Sequence, residues 1–220
     1  MSITKYYFTG PTIENQKNEI YSFMNTYGTG YFSTINNNGS NVACMLNGVR
    51  SLSFGCDSAN TYSNISAKLN NNSEKFSDAT SNLWEYAVAC TGGLIFKSQV
   101  ASATASFHSY LYITKSNNNE TIIAFTAYVN NYGHFFVGDL SRSATWWDVF
   151  GNADNLYNQN SYSHYWGIAS SMTALTPLVT NAETYAPNLN VMRFTQFPQQ
   201  DGKIVVNGIE YYSTGYLAMK

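Results

Sequence analysis

The chain is short of charge. Lys, Arg, Asp and Glu make up 11% of its 220 residues, against about 25% in an ordinary globular domain. With 11 basic and 13 acidic side chains, the formal net charge is −2. That leaves no basic footprint for phosphates, so nucleic acid is not an expected partner. No apolar run approaches the roughly 20 residues of a membrane-crossing helix, and membrane insertion is not expected either. The opening segment MSITKYYFTGPTIENQKN has no basic start, apolar centre or small-residue cleavage site, so it does not read as a signal peptide. Cysteine is also scarce. The three, Cys44, Cys56 and Cys90, match no zinc or redox spacing. They read as buried free thiols acting as small hydrophobes, with a Cys44–Cys56 bridge across adjacent strands as the lesser alternative.

What is abundant is apolar and aromatic. The chain is 44% hydrophobic and 16% aromatic, which excludes an intrinsically disordered composition. Water is held by uncharged polar groups instead, chiefly 27 Asn and the hydroxyls of 18 Tyr. The length suits one domain spanning 1–220, able to bury a core without disulfides. Asn38, Asn64, Asn71 and Asn119 head N-x-S/T triplets, but an Asn-rich chain produces these by chance and they carry no argument for glycosylation.

Hydrophobic spacing predicts one helix near the start, residues 11–27. Ile13, Ile20, Phe23, Met24 and Tyr27 recur near a helical period, Pro11 suits the first turn and Gly28 the stop. Glu14, Asn15, Lys17 and Asn18 form its expected exposed face. Almost everything afterwards reads as short strands. Segments 42–46 and 49–54 flank Asn47-Gly48, and 204–206 and 209–212 flank Asn207-Gly208, both type I′ hairpin signals. Strands are also expected at 5–8, 30–35, 94–97, 107–114, 121–128, 134–140, 165–169 and 191–197, while 82–90 is open between helix and strand. In 107–114, Phe107, Ser109, Leu111 and Ile113 share an oily face, and His108, Tyr110, Tyr112 and Thr114 an aromatic-polar one. The fold class that follows is mainly β: an antiparallel sandwich of short strands with one N-terminal amphipathic helix. The stretch 151–163 reads as a loop, without marking a domain boundary.

No catalytic motif emerges. There is no G-x-S-x-G elbow, P-loop, dinucleotide-binding glycine triplet or H-E-x-x-H, and His108, His134 and His164 stand isolated beside aromatics. No catalytic, metal or cofactor residue is therefore assigned, and no enzymatic activity is expected. Asp139, Asp148 and Asp154 lie in an aromatic-rich stretch, where Asp148 beside Trp146-Trp147 could serve a glycosidase if a second acid lay close. The structural alternative makes Asp148 a turn or cap residue. The spacing of acids and amides around 152–155 does not match a calcium loop. Trp146, Trp147, Tyr162, Tyr165 and Trp166 are the candidate contacts for a glycan or a protein partner, since rigid rings with adaptable hydrogen bonding suit such surfaces.

The ends of the chain carry a likeness. An amphipathic helix leading into GYFSTI, over 12–35, and the closing DGKIVVNGIEYYSTGYLAMK, with its hairpin at about 203–219, resemble small virion structural proteins of tailed bacteriophages. These are tail, baseplate or head-decoration proteins of phages infecting gut Firmicutes and related bacteria. The resemblance implies a mechanical, non-enzymatic role as a homo-oligomer or on a ring of other virion proteins. It also implies synthesis in the host bacterial cytoplasm and residence in the virion. The helix and residues 5–8 are then the expected anchoring segment, removable without loss of a soluble fold. The alternative is a carbohydrate-binding, host-recognition module built on the exposed aromatics. A hydrolase using Asp148 is a third reading.

Overall fold

In an extended chain, successive side chains face opposite sides of a sheet, and this sequence uses both sides. The structure, a computed structural model, describes residues 2–10, 12–38, 41–55, 66–69, 84–98, 110–115, 119, 121–129, 132–139, 146–148, 175–177, 191–194, 201–214 and 217–220. The chain is mainly antiparallel β, with a single helix, near the N-terminus, among the described residues, whose sheets do not close into barrels.

The central layer is a seven-stranded sheet. It comprises β1 (Thr4–Tyr7), β6 (Trp84–Cys90), β7 (Gly93–Ser98), β8 (Tyr110–Lys115), β9 (Thr121–Val129), β10 (Tyr132–Asp139) and β11 (Trp146–Asp148), adjacent in that order. A four-stranded sheet runs β2 (Thr34–Asn38), β3 (Asn41–Leu46), β4 (Val49–Gly55) and β5 (Ser66–Leu69). The third sheet orders β12 (Leu175–Pro177), β13 (Val191–Phe194), β16 (Leu217–Met219), β15 (Ile209–Ser213) and β14 (Gly202–Val206). Of the 82–90 segment, open between helix and strand in the sequence, Trp84–Cys90 is strand, and residues 82 and 83 lie outside the described residues. Both Asn-Gly turns have positive φ at both residues: 50° and 79° at Asn47-Gly48, 51° and 76° at Asn207-Gly208.

One face of the central sheet meets the helix α1 (Ile13–Tyr27) and the four-stranded sheet. Ala87, Ala89, Leu94, Phe96, Leu111, Ile113 and Ile123 pack there with Ile20, Phe23 and Met24 of α1 and with Val42, Cys44, Leu52 and Phe54. Phe96 is the hub, with ring contacts to Phe8, Phe23, Phe54 and Trp84. The free thiols of Cys44 and Cys90 are both buried, as expected of small hydrophobes, which excludes the Cys44–Cys56 bridge. Burial pushes both thiols up, that of Cys90 to about 12. Cys56 lies outside the described residues.

The helix begins where Thr12, its N-cap, accepts from the Asn15 N–H, and stops at Gly28. The loop before it is pinned by Glu19, whose carboxylate accepts from the backbone N–H groups of Thr9 and Gly10 and from the Thr9 hydroxyl. Gly10 is required there, because a Cβ would lie 2.5 Å from that of Asn15. Two expectations fail. Lys17 is buried rather than part of the exposed polar face, with its ammonium on Glu14 at 2.7 Å; its long stem lies inside while the head reaches a partner. The strand expected at 30–35 starts only at Thr34, because the Tyr31 and Phe32 N–H groups both turn back onto the Gly28 carbonyl. Phe32 thereby enters the core instead of a ladder.

Gln16 does something the sequence did not announce. The ladder between β1 and β6 runs from Thr4–Ala89 to Tyr7–Tyr86 and ends with the Phe8 N–H on the Glu85 carbonyl. The next backbone pair, at Trp84, is taken by the buried Gln16 amide: Nε2 donates to the Trp84 carbonyl at 2.9 Å, and Oε1 accepts from its N–H at 3.1 Å. A side chain thus replaces one residue of edge strand. The register slips between Trp84 and Tyr86, a bulge that sends these two residues to opposite faces although they are two apart. Because α1 and β1 are woven into the core, removal of the residues before Gly28 takes Phe8, Ile20, Phe23 and Met24 with it. They are not a detachable anchor.

Replacing Gln16 with Ala strands two buried backbone groups of Trp84. It should cost about 2–4 kcal/mol, read as a lower urea midpoint at unchanged m-value. A shift equivalent to less than about 0.5 kcal/mol would show that these two bonds contribute nothing net.

Candidate functional site

The second face of the central sheet carries Tyr86, Lys97, Tyr110, Tyr112 and Thr114, and the closing strands β14–β16 cover it. Tyr110, Tyr112 and Thr114 form the aromatic-polar face expected from alternation along the strand. Tyr112 Oη and Thr214 Oγ1 share a 2.6 Å hydrogen bond. Tyr86 meets Tyr212 edge to face at 6.1 Å. At the start of the closing segment, just before β14, Asp201 reaches back to the sheet.

The Asp201 carboxylate is the node. Tyr86 Oη donates to its two oxygens at 2.7 and 2.5 Å, Lys97 Nζ to Oδ2 at 3.2 Å and Tyr110 Oη at 3.3 Å. Lys97 also meets Glu85 at 3.1 Å. Tyr86 is fully buried, while the Asp201 side chain is 28% exposed. Burial alone would raise the Asp201 carboxyl, but the bonds from Tyr86 and Lys97 outweigh it and hold the group below the ordinary carboxylate range. Burial first, and then their charged neighbours, push the Tyr86 and Tyr110 phenols well up.

A second feature adjoins it. Lys5 Nζ sits 3.8 Å from the centre of the Tyr86 ring, 4.7 Å from Tyr7 and 5.5 Å from Tyr212. Three phenol rings thus cage the ammonium of the first strand. Burial works against that charge, but contacts with Tyr212 and Tyr7 outweigh it and hold the lysine above its usual value. Tyr212 Oη is sealed from solvent, and burial raises its phenol.

An effective acid or base needs a pKa near the working pH. Here the carboxylate is kept ionised with its lone pairs occupied, and the phenols are kept protonated. Among the described residues no three His, Cys, Asp or Glu side chains gather as a metal site.

The aromatic residues singled out in the sequence are elsewhere. Trp146 and Trp147 are consecutive positions of the outer strand β11, paired with Gly138 and Val137. Tyr162, Tyr165 and Trp166 lie outside the described residues, as do His108, His164 and Asp154. Asp148 ends β11 opposite Phe136, and Asp139 ends β10 opposite Ile122. Sequence reading missed Lys5, Tyr86, Lys97 and Asp201. The available signal was a lysine inside an apolar strand, GLIFKS, and two tyrosines on its neighbour's opposite face.

Among the described residues, several strands that end their sheets carry little charge. Tyr7 is 56% exposed on the outer strand β1. β2 presents TINNN at the edge of its sheet. On β14, Val205 is 70% exposed. No protein-family model, curated protein or solved structure matches the chain.

Two measurements test the cluster. Because the Asp201 pKa is lowered by folding, its contribution is complete above the unfolded value of about 3.9 and is lost as pH falls through the folded value. Asp201→Asn should cost about 1–3 kcal/mol at neutral pH and flatten the acid limb of the stability profile below about pH 4; an unchanged acid limb counts against the node. Lys5→Met keeps the stem but removes the charge. It should lower stability by about 1–2 kcal/mol, whereas an equal or higher melting temperature would show that the cage contributes only packing.

Proposed function

We propose that this chain is a non-enzymatic structural component of a tailed-bacteriophage virion, in the tail, the baseplate or a capsid accessory layer, working through protein–protein contacts. The observation that carries the reading is the set of open, charge-poor sheet edges. Among the described residues β1, β2 and β14 each end a sheet, and they expose tyrosine, asparagine and valine rather than rows of charge. Unpaired edge N–H and C=O groups are templates for another strand, which soluble monomers ordinarily blunt with charge, proline or bulges. Low charge removes the desolvation cost that opposes burying such surfaces between subunits.

The resemblance at 12–35 and 202–220 supplies the setting. Both segments pack on the central sheet, α1 against one face and the closing strands against the other. The parts of the chain that carry the likeness are therefore those that define the fold's layers. Other virion proteins and further copies of the same chain are the partners in this reading. Production in the bacterial cytoplasm agrees with thiols that are free and buried.

Mass spectrometry of gradient-purified particles, from a lysate in which the coding sequence is expressed, should recover the chain at a constant copy number per particle. Recovery only in the soluble fraction, at every stage of purification, overturns the proposal.

A further inference from the structure

β14 is bonded to β15 on one side and, among the described residues, ends its sheet on the other. β16 meets β15 only at Tyr212 and Ser213. The far half of the hairpin, 204–211, is therefore a two-stranded ribbon among the described residues, and such a ribbon is marginal on its own. It is also unusually oily at its rim, with Val205 at 70% and Ile209 at 37% exposure. The β14–β15 register is unbroken from Gly202–Ser213 to Val206–Ile209, so no bulge blunts the edge.

We propose that β14 pairs with β14 of a second copy, antiparallel about a two-fold axis through Ile204. This joins two five-stranded sheets edge to edge. It rests on the assembly reading above for its setting and names the partner and the surface. Three consecutive β-branched residues, Ile204, Val205 and Val206, already hold the extended conformation that a neighbouring strand needs. Natural edges place a lysine, a proline or an inward charge at mid-strand. Here the one lysine, Lys203, stands toward the start of β14 and the exposed middle is valine.

Charge selects a second copy over a foreign strand. Lys203, Val205 and Glu210 share one face of the ribbon: Val205 stands opposite Glu210, and Lys203 reaches Glu210 at 3.7 Å. With the axis at Ile204, Lys203 lies opposite the partner's Val205, one strand from the partner's Glu210. The lysine stem covers the valine and no like charges face each other. On the reverse face Ile204 opposes its own equivalent, an aliphatic cross-strand pair. Each copy supplies both signs, which is the requirement of an isologous contact. A single five-residue strand buries less than the ~1,200–2,000 Å² of a stable interface. The dimer is therefore weak in free solution and strengthened where copies are held side by side.

Sedimentation velocity of the full chain over a dilution series tests this. The wild type should show a dimer fraction that rises with concentration, and Val205→Lys should be monomeric throughout with an unchanged thermal melt. Ile204→Cys should form an intermolecular disulfide on mild oxidation, since directly opposed residues have Cα atoms about 4.5–5.5 Å apart. Adding Val205→Lys should abolish that crosslink. A wild type monomeric at every concentration, or a Val205→Lys variant that dimerises equally well, overturns the proposal. Particle mass spectrometry is a separate readout: a chain found in virions yet monomeric in solution sinks the β14 pairing alone.

Discussion

The carboxylate of Asp201 joins the closing strands to the central sheet. An ionised group at a sheet–sheet boundary loses hydration, and that loss is offset only where donors replace water in good geometry. Tyr86 provides bonds to both oxygens, with Lys97 and Tyr110 on the second. Every one of these donors sits on β6, β7 or β8, so three neighbouring strands are held in mutual register by one residue 91 to 115 positions away in sequence. The tyrosine-lined face is otherwise a poor core, because each phenol needs a partner before it can be buried. The closing segment supplies those partners through Asp201 and Thr214.

The two faces of the central sheet solve one problem in opposite ways. Toward α1 and the four-stranded sheet, burial is aliphatic and phenyl, with interlocked rings around Phe96 and only Gln16 and Lys17 as polar intruders from the helix. Toward β14–β16, burial is phenolic and ionic. A chain with so few charges concentrates several of them here: Lys5, Glu85, Lys97 and Asp201 all lie within one cluster. What is left for the described sheet edges carries little charge.

Much of the architecture could be read from local pattern. Helix α1 and its stop at Gly28, both Asn-Gly hairpins, the strands around 94–97 and 121–128 and the split faces of β8 all follow from spacing and turn chemistry. The late start of β2 is local, set by the Gly28 carbonyl, but the other failures depend on surroundings distant in sequence. Lys17 looks like a surface residue until its surroundings close over it. Residues 82–90 look ambiguous because their bulge is stabilised by Gln16, 68 positions away. Asp201-Gly202 looks like an ordinary turn dipeptide, and nothing nearby in sequence marks Tyr86 as its partner. The aromatic run 146–166 drew attention through composition alone, whereas the structured cluster used tyrosines scattered over four strands, β1, β6, β8 and β15.

The Gln16 amide in the place of a strand residue also bears on how the molecule comes together. β1 can complete its ladder only after β6 has been synthesised, and the phenolic face of β6 only after the chain has passed residue 201. Strands β6 to β11 follow one another in sequence and can pair as they emerge, whereas β1 and the closing segment join the central sheet through contacts spanning much of the polypeptide, and such contacts form slowly. During that interval the nascent protein exposes ring-rich ribbons to its neighbours, and chaperone binding would compete directly with aggregation.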